Sequence, residues 1–109
     1  MLLIDFVAPT IAPVSYKACV SNLHVYFETN EHADMWVVWS VGGGLAHVSG
    51  VESGQVFEKD IALGAAFVTV KFQLHAKDDN GNERVSAAYE TFAGICVPPD
   101  FVPDLDLGF

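Results

Sequence analysis

One run of strict alternation constrains the fold more than anything else in the chain. From Val68 to Ala76, the residues Val68, Val70, Phe72, Leu74 and Ala76 alternate with Thr69, Lys71, Gln73 and His75. Successive side chains of a strand point to opposite faces, so the run predicts a half-buried β-strand; apolar positions of a helix would recur every three or four residues. Asp78-Asp79-Asn80-Gly81-Asn82 follows, and these residue types tolerate the positive φ that a tight hairpin requires. Arg84 to Phe92 then reads as the returning strand, with a slip of apolar parity at Ala87 and Ala88 that predicts a β-bulge.

The same reasoning places the other strands. Leu23 to Thr29 sets Leu23, Val25 and Phe27 against His24, Tyr26 and Glu28, and Asn30 to Asp34 reads as a polar turn. Met35 to Val41 is almost wholly apolar, with Met35, Val37 and Trp39 on one face and Trp36, Val38 and Ser40 on the other, so both faces need cover. Gly42 to Gly44 break it. A weak strand is expected within Leu45 to Val51, and another over Phe57 to Leu63 with Phe57, Ile61 and Leu63 inward. Pro9 and Pro13 remove ladder donors, so residues 1 to 14 suit an edge strand or an extended arm. No segment sustains a helical period. Short strands at near-regular spacing predict an all-β fold, a single antiparallel β-sandwich over residues 9–93. Residues 1–8 form an N-terminal arm or edge strand, and 94–109 an extended C-terminal arm.

A chain of 109 residues suits one domain and one core. Fourteen acids against five Lys and Arg give a net charge of -9, which disfavours nucleic acid and anionic lipid as partners. MLLIDF has no basic region, and its apolar run stops at Asp5, so neither a secretory signal nor a membrane anchor is expected. No apolar stretch reaches the roughly 18 residues of a membrane-spanning helix, and synthesis in a cytoplasm is expected. Cys19 and Cys96 are the only cysteines. One disulfide between them is conceivable, but without a signal peptide the expectation is free, packed thiols.

With the strands placed, the chain resembles an immunoglobulin-like fold of the fibronectin type III kind, across roughly residues 8–93. NLHVYFETNEHA (22–33) looks like that family's second strand and following turn, with Phe27 where a core tryptophan is usual. MWVVW matches the next strand, and FQLHAKDDNGN resembles the family's run through Phe72, Leu74, Ala76, Asp78, Gly81 and Asn82. Val70 departs from the pattern, standing where the family often places the tyrosine of the tyrosine corner. The resemblance implies a scaffold; it assigns no activity.

Chemistry-bearing residues are sparse. His24, His32, His47 and His75 fall on different elements without the spacing of a metal motif, and Asp78, Asp79 and Asn80 lack the downstream acid of a calcium loop. No nucleophile-base pairing or phosphate loop is recognisable, so neither catalysis nor a cofactor is expected. Trp36 and Val38 point outward on a strand expected to be central. The C-terminal arm carries Phe101, Leu105, Leu107 and Phe109 among three prolines and three aspartates. These six residues are the candidate partner-binding set, since tryptophan anchors interfaces and apolar arms dock on neighbours. The expectation is a non-enzymatic structural protein docking on its own copies or on a larger assembly's major protein. Such free-standing domains resemble capsid-decoration or tail-associated components of tailed-bacteriophage virions. A carbohydrate- or cell-surface-binding module using an exposed Trp36 platform, with Tyr26 as a candidate second stacking residue, is the alternative.

Overall fold

A single strand, bent at its middle, organises the molecule. The computed structural model describes residues 7–95. β1 (Ile11–Cys19) leads into β2 (Asn22–Val41), and β3 (His47–Val48), β4 (Glu52–Ala62), β5 (Thr69–Asp78), β6 (Glu83–Val85) and β7 (Tyr89–Phe92) follow. All the strand pairings are antiparallel. β4 runs along one side of β2, from Asn22↔Ala62 to Met35↔Glu52. Along the other side β1 pairs with residues 22–29 and β5 with residues 33–41. β2 therefore belongs to two walls of one curled sheet, the first with β1 and β4, the second with β3, β5, β6 and β7.

The curl brings distant segments to one end. Val20 N–H donates to the Gly94 carbonyl at 2.6 Å, Phe67 N–H to Val20 at 2.9 Å, Ala93 N–H to Val68 at 2.8 Å and Gly42 N–H to Thr69 at 3.0 Å. Both ends of β2 arrive here, and the bend at residues 29–33 lies at the opposite end. One apolar face lines the inside throughout. Leu23, Val25, Phe27, Ala33, Met35 and Val37 of β2 are fully buried against Phe57 and Ile61 of β4, Leu63 just beyond it, and Val70, Phe72, Leu74 and Ala76 of β5. Phe27 and Phe57 stand opposite each other and stack at 4.9 Å.

The alternations over 23–27 and 70–76 and the inward set of β4 are as the sequence predicts. The turn expected at Asn30–Asp34 is instead continuous strand. The polar residues lie on the outer side of the bend, while Thr29 and Ala33 hold the inward parity and a register shift between Glu28 and Ala33 absorbs the curvature. The weak strand within 45–51 shrinks to His47 and Val48. The returning strand is two strands, β6 and β7, separated by Ser86–Ala88 rather than bulged. β1 extends well past residue 14, and Pro13 sits near its start on an edge, where no ladder donor is needed. Cys19 is disulfide-bonded rather than a free, packed thiol. The chain's other cysteine, Cys96, lies outside the described residues.

Two serines end the short strands in the same way. Ser86 N–H donates to Leu74 O while Leu74 N–H donates to Ser86 Oγ, both at 2.9 Å. Ser49 makes the same exchange with Val37, again at 2.9 Å in each direction. Each hydroxyl thus substitutes for a carbonyl in the ladder and lets the chain leave the sheet without orphaning a buried amide. The hairpin turn after β5 is tied by Asp78, a buried carboxylate that accepts Asn80 N–H and Asn82 N–H, each at 2.9 Å.

Candidate functional site

The outer face of the second wall is where the predicted partner-binding residues fall. Cross-strand pairing sets Val85 beside His75, His75 beside Trp36, Gln73 beside Val38 and Val38 beside Val48. Side chains on one face of paired strands touch their opposite numbers, so Val85, His75, Trp36, Val38 and Val48 form a band across four strands, with His75 of β5 between Val85 and Trp36. Trp36 and Val38 are half-buried and Val48 is 65% exposed. The Trp36 ring stacks on His75 at 5.3 Å, and His75 Nδ1 is held by Glu83 at 2.9 Å. Sequence parity alone turns Trp36 outward; its histidine neighbour follows from register, which a single strand does not reveal.

Beside this band lies a shallow cavity of about 240 Å³. Val38, Ser40, Lys71 and Gln73 line it on β2 and β5, with Ala46 from the β2–β3 connection and Ala88 from the β6–β7 connection at its margins. Lys71 makes no ion pair among the described residues, although Glu90 faces it across the β5–β7 ladder. Two alanines give the groove low walls. No sequence motif marks it, because it depends on where two irregular connections come to rest. Trp39, on the opposite parity, packs against the core and stacks on His47 at 4.5 Å.

A second apolar surface caps the end where both termini of β2 meet. Val20, Phe67, Phe92 and Ile95 are all exposed there, Phe92 by 58% and Ile95 by 81%. Val20 and Phe67 have φ of 54° and 57°, a left-handed conformation costly for a β-branched or bulky residue. The Gly94–Val20 and Phe67–Val20 hydrogen bonds hold them there. Phe101, Leu105, Leu107 and Phe109, the remaining candidates, lie outside the described residues.

Polar groups on the first wall pair with each other. His24 Nδ1 lies 2.7 Å from Asp60 and Nε2 lies 3.0 Å from Glu58. The hydrogen bond to Asp60 raises the imidazole pKa above its ordinary value, burial opposes it, and Glu58 adds to the rise. The bonds from His24 and then Asn22 lower the Asp60 carboxyl pKa. His75 is held by Glu83, and His32 Nδ1 lies 3.6 Å from Asp79. Among the described residues, no three His, Cys, Asp or Glu side chains converge as metal ligands do, and the Asp78 carboxylate is engaged by its own turn. Tyr26 donates to Glu28 on the first wall, on the other side of the bend from Trp36, so the two aromatics form no shared stacking platform. No helix in the described region is long and apolar enough to cross a membrane. No protein-family model, curated protein or solved structure matches the chain.

Proposed function

We propose that the chain is a non-enzymatic assembly protein that docks on neighbouring protein subunits, foremost other copies of itself. The observation that carries this reading is the band of Val85, Trp36, Val38 and Val48 across the second wall. It is a largely apolar strip, crossed by His75 between Val85 and Trp36, beside a groove too shallow and too poor in convergent polar groups for a small-molecule site. Tryptophan within such a strip is the residue type that most often anchors a protein interface, and the acidic charge of -9 keeps an exposed strip of this kind soluble between encounters. The apolar arm with Phe101, Leu105, Leu107 and Phe109 supplies a complementary surface. The immunoglobulin-like, fibronectin type III-like affiliation belongs to the same proposal, as does its setting as a virion component of a tailed bacteriophage. Both rest on the sequence resemblance.

Sedimentation velocity of the purified chain up to about 1 mM, beside Val48→Glu, tests the reading. That concentration reaches the weak end of specific protein association. The proposal expects concentration-dependent association that the substitution weakens. A parent chain that sediments as a monomer throughout the range refutes it.

A further inference from the structure

We infer that Cys19 is bonded to Cys96 and that this bond is a redox-operated lock on the seam where the curled sheet closes on itself. The inference is independent of the assembly reading above. In the ladders β1 pairs with β2 alone and β7 with β5 alone, so the two strands are facing margins of the curl. Among the described residues no ladder joins them. The seam is fastened by the isolated parallel bridge of Cys19 with Gly94, by the Val20 N–H to Gly94 O bond at 2.6 Å, and by the Tyr16 and Tyr89 rings, 5.4 Å apart. Both tyrosines pack on Phe72, at 5.1 and 5.3 Å, and Phe72 is 2% exposed. Opening the seam would uncover it. Val20, the residue after Cys19, keeps a φ of 54°, which a β-branched residue holds only under constraint.

Cys19 is disulfide-bonded, and the chain holds one other cysteine. Cys96 lies two residues beyond Gly94, a reach of about 7 Å, and bonded cysteines keep their Cα atoms about 4.4–6.8 Å apart. The bridge that sets Gly94 beside Cys19 therefore leaves Cys96 within range, with no movement of β7 required. The bond closes a loop of about 77 residues that contains β2 to β7. It forms by thiol–disulfide exchange: the two thiols pass two electrons and two protons to a small-molecule disulfide, which leaves as two thiols. A dithiol reverses the step, reducing Cys19 and Cys96 and closing its own disulfide. A reducing cytoplasm holds such thiols apart, so the locked form belongs to oxidising surroundings and the unlocked form to a reducing compartment.

Non-reducing peptide mapping, urea denaturation and amide hydrogen exchange of the full chain test the inference. After equilibration in an oxidising glutathione buffer, a peptide joining residues 19 and 96 within one monomer is expected. Dithiothreitol should lower the folded-to-unfolded ratio on the order of 1,000-fold, the chain-entropy effect of a loop this long. It should also quicken exchange at Val20 N–H, which crosses the seam, more than at Val25 N–H inside the first wall. Cys19→Ser/Cys96→Ser should match the reduced parent and ignore dithiothreitol. Two alkylatable thiols after oxidation, or a bond between chains, overturn the pairing. A stability change on reduction of less than about tenfold, equal quickening at Val20 and Val25, or a response of the double variant to dithiothreitol overturns the lock. So does a reduced chain that no longer folds, because the bond is then a condition of folding and not a switch.

Discussion

Replacing Ala33 by glutamate tests the continuous, bent β2 directly. In a polar turn the substitution would be harmless. In the strand, Ala33 is fully buried between Gly54 of β4 and Asp78 of β5, and Asp78 is itself a buried carboxylate. The introduced carboxyl would enter the core beside a like charge, so it protonates instead of ionising, and its pKa rises well above the unfolded value of about 4.3. Holding it neutral at pH 7 costs about 3.7 kcal/mol, at roughly 1.4 kcal/mol per pH unit. Overpacking a site sized for a methyl group adds about 1–3 kcal/mol. The sum, about 5–7 kcal/mol, is comparable to the whole stability of many domains, about 5–15 kcal/mol. Because the folded pKa is raised, the charge-related part is present at pH 7 and fades as pH falls towards the unfolded pKa. It should shrink by about 2.7 kcal/mol between pH 7 and pH 5. Urea denaturation followed by tryptophan fluorescence at both pH values measures this, with Ala33→Gln as the neutral comparison and His32→Lys on the outer side of the bend. The reasoning fails if Ala33→Glu costs no more than His32→Lys, or if its deficit is the same at pH 5 as at pH 7.

Three further outcomes are expected. Phe57→Ala should cost about 3–5 kcal/mol in urea denaturation, because Phe57 is fully buried and stacked on Phe27, whereas Val56→Ala, at a position 52% exposed, should change stability by less than about 0.5 kcal/mol. Equal effects would place β4 in the wrong register. Ser86→Ala should cost about 1–3 kcal/mol by leaving Leu74 N–H without its acceptor, and Ser49→Ala should do the same through Val37; the double variant should depart from additivity, since Leu74 and Val37 are cross-strand partners. His24→Gln should flatten the dependence of melting temperature on pH. The raised imidazole pKa stabilises the fold fully below about pH 6.5 and loses that effect as pH climbs through the folded value, while the lowered Asp60 pKa contributes above about pH 4. An unchanged profile would show that the His24–Asp60 pair does not persist in solution.

How far the sequence could be read depended on whether one strand carried its own signal. Val70, Phe72, Leu74 and Ala76 announce β5 because one face is core and the other is solvent, and Leu23, Val25 and Phe27 do the same for the start of β2. The bend reads as a turn because Asn30, Glu31, His32 and Asp34 are the residues a turn would use. Only Thr29 and Ala33 betray the continuing parity, and neither is strongly apolar. β1 is poorly marked because an edge strand partly covered on one face needs little alternation; Ile11, Val14 and Ala18 pack only partly buried against the core, beside Tyr16, which lies edge-on to Phe72 at 5.1 Å. Trp36 and Val38 were legible as outward-facing by counting. The groove beside them was not, since Ala46 and Ala88 acquire a role only through the paths of two connections, and the stack of His75 on Trp36 exists only through inter-strand register.

The bent β2 also governs how the domain can come apart. It is hydrogen-bonded to β1, β3, β4 and β5, so either wall loses its central member when β2 leaves. Among the described residues, the first wall has no pairing without β2, and the second keeps only the short ladders of β5 with β6 and β7. Opening should therefore be all-or-none, with amides on both sides of the bend sharing one exchange free energy equal to that of global unfolding. Pairings such as Ala33↔Asp78 and Asn22↔Ala62 span about forty residues, which places folding among the slow, topology-limited cases.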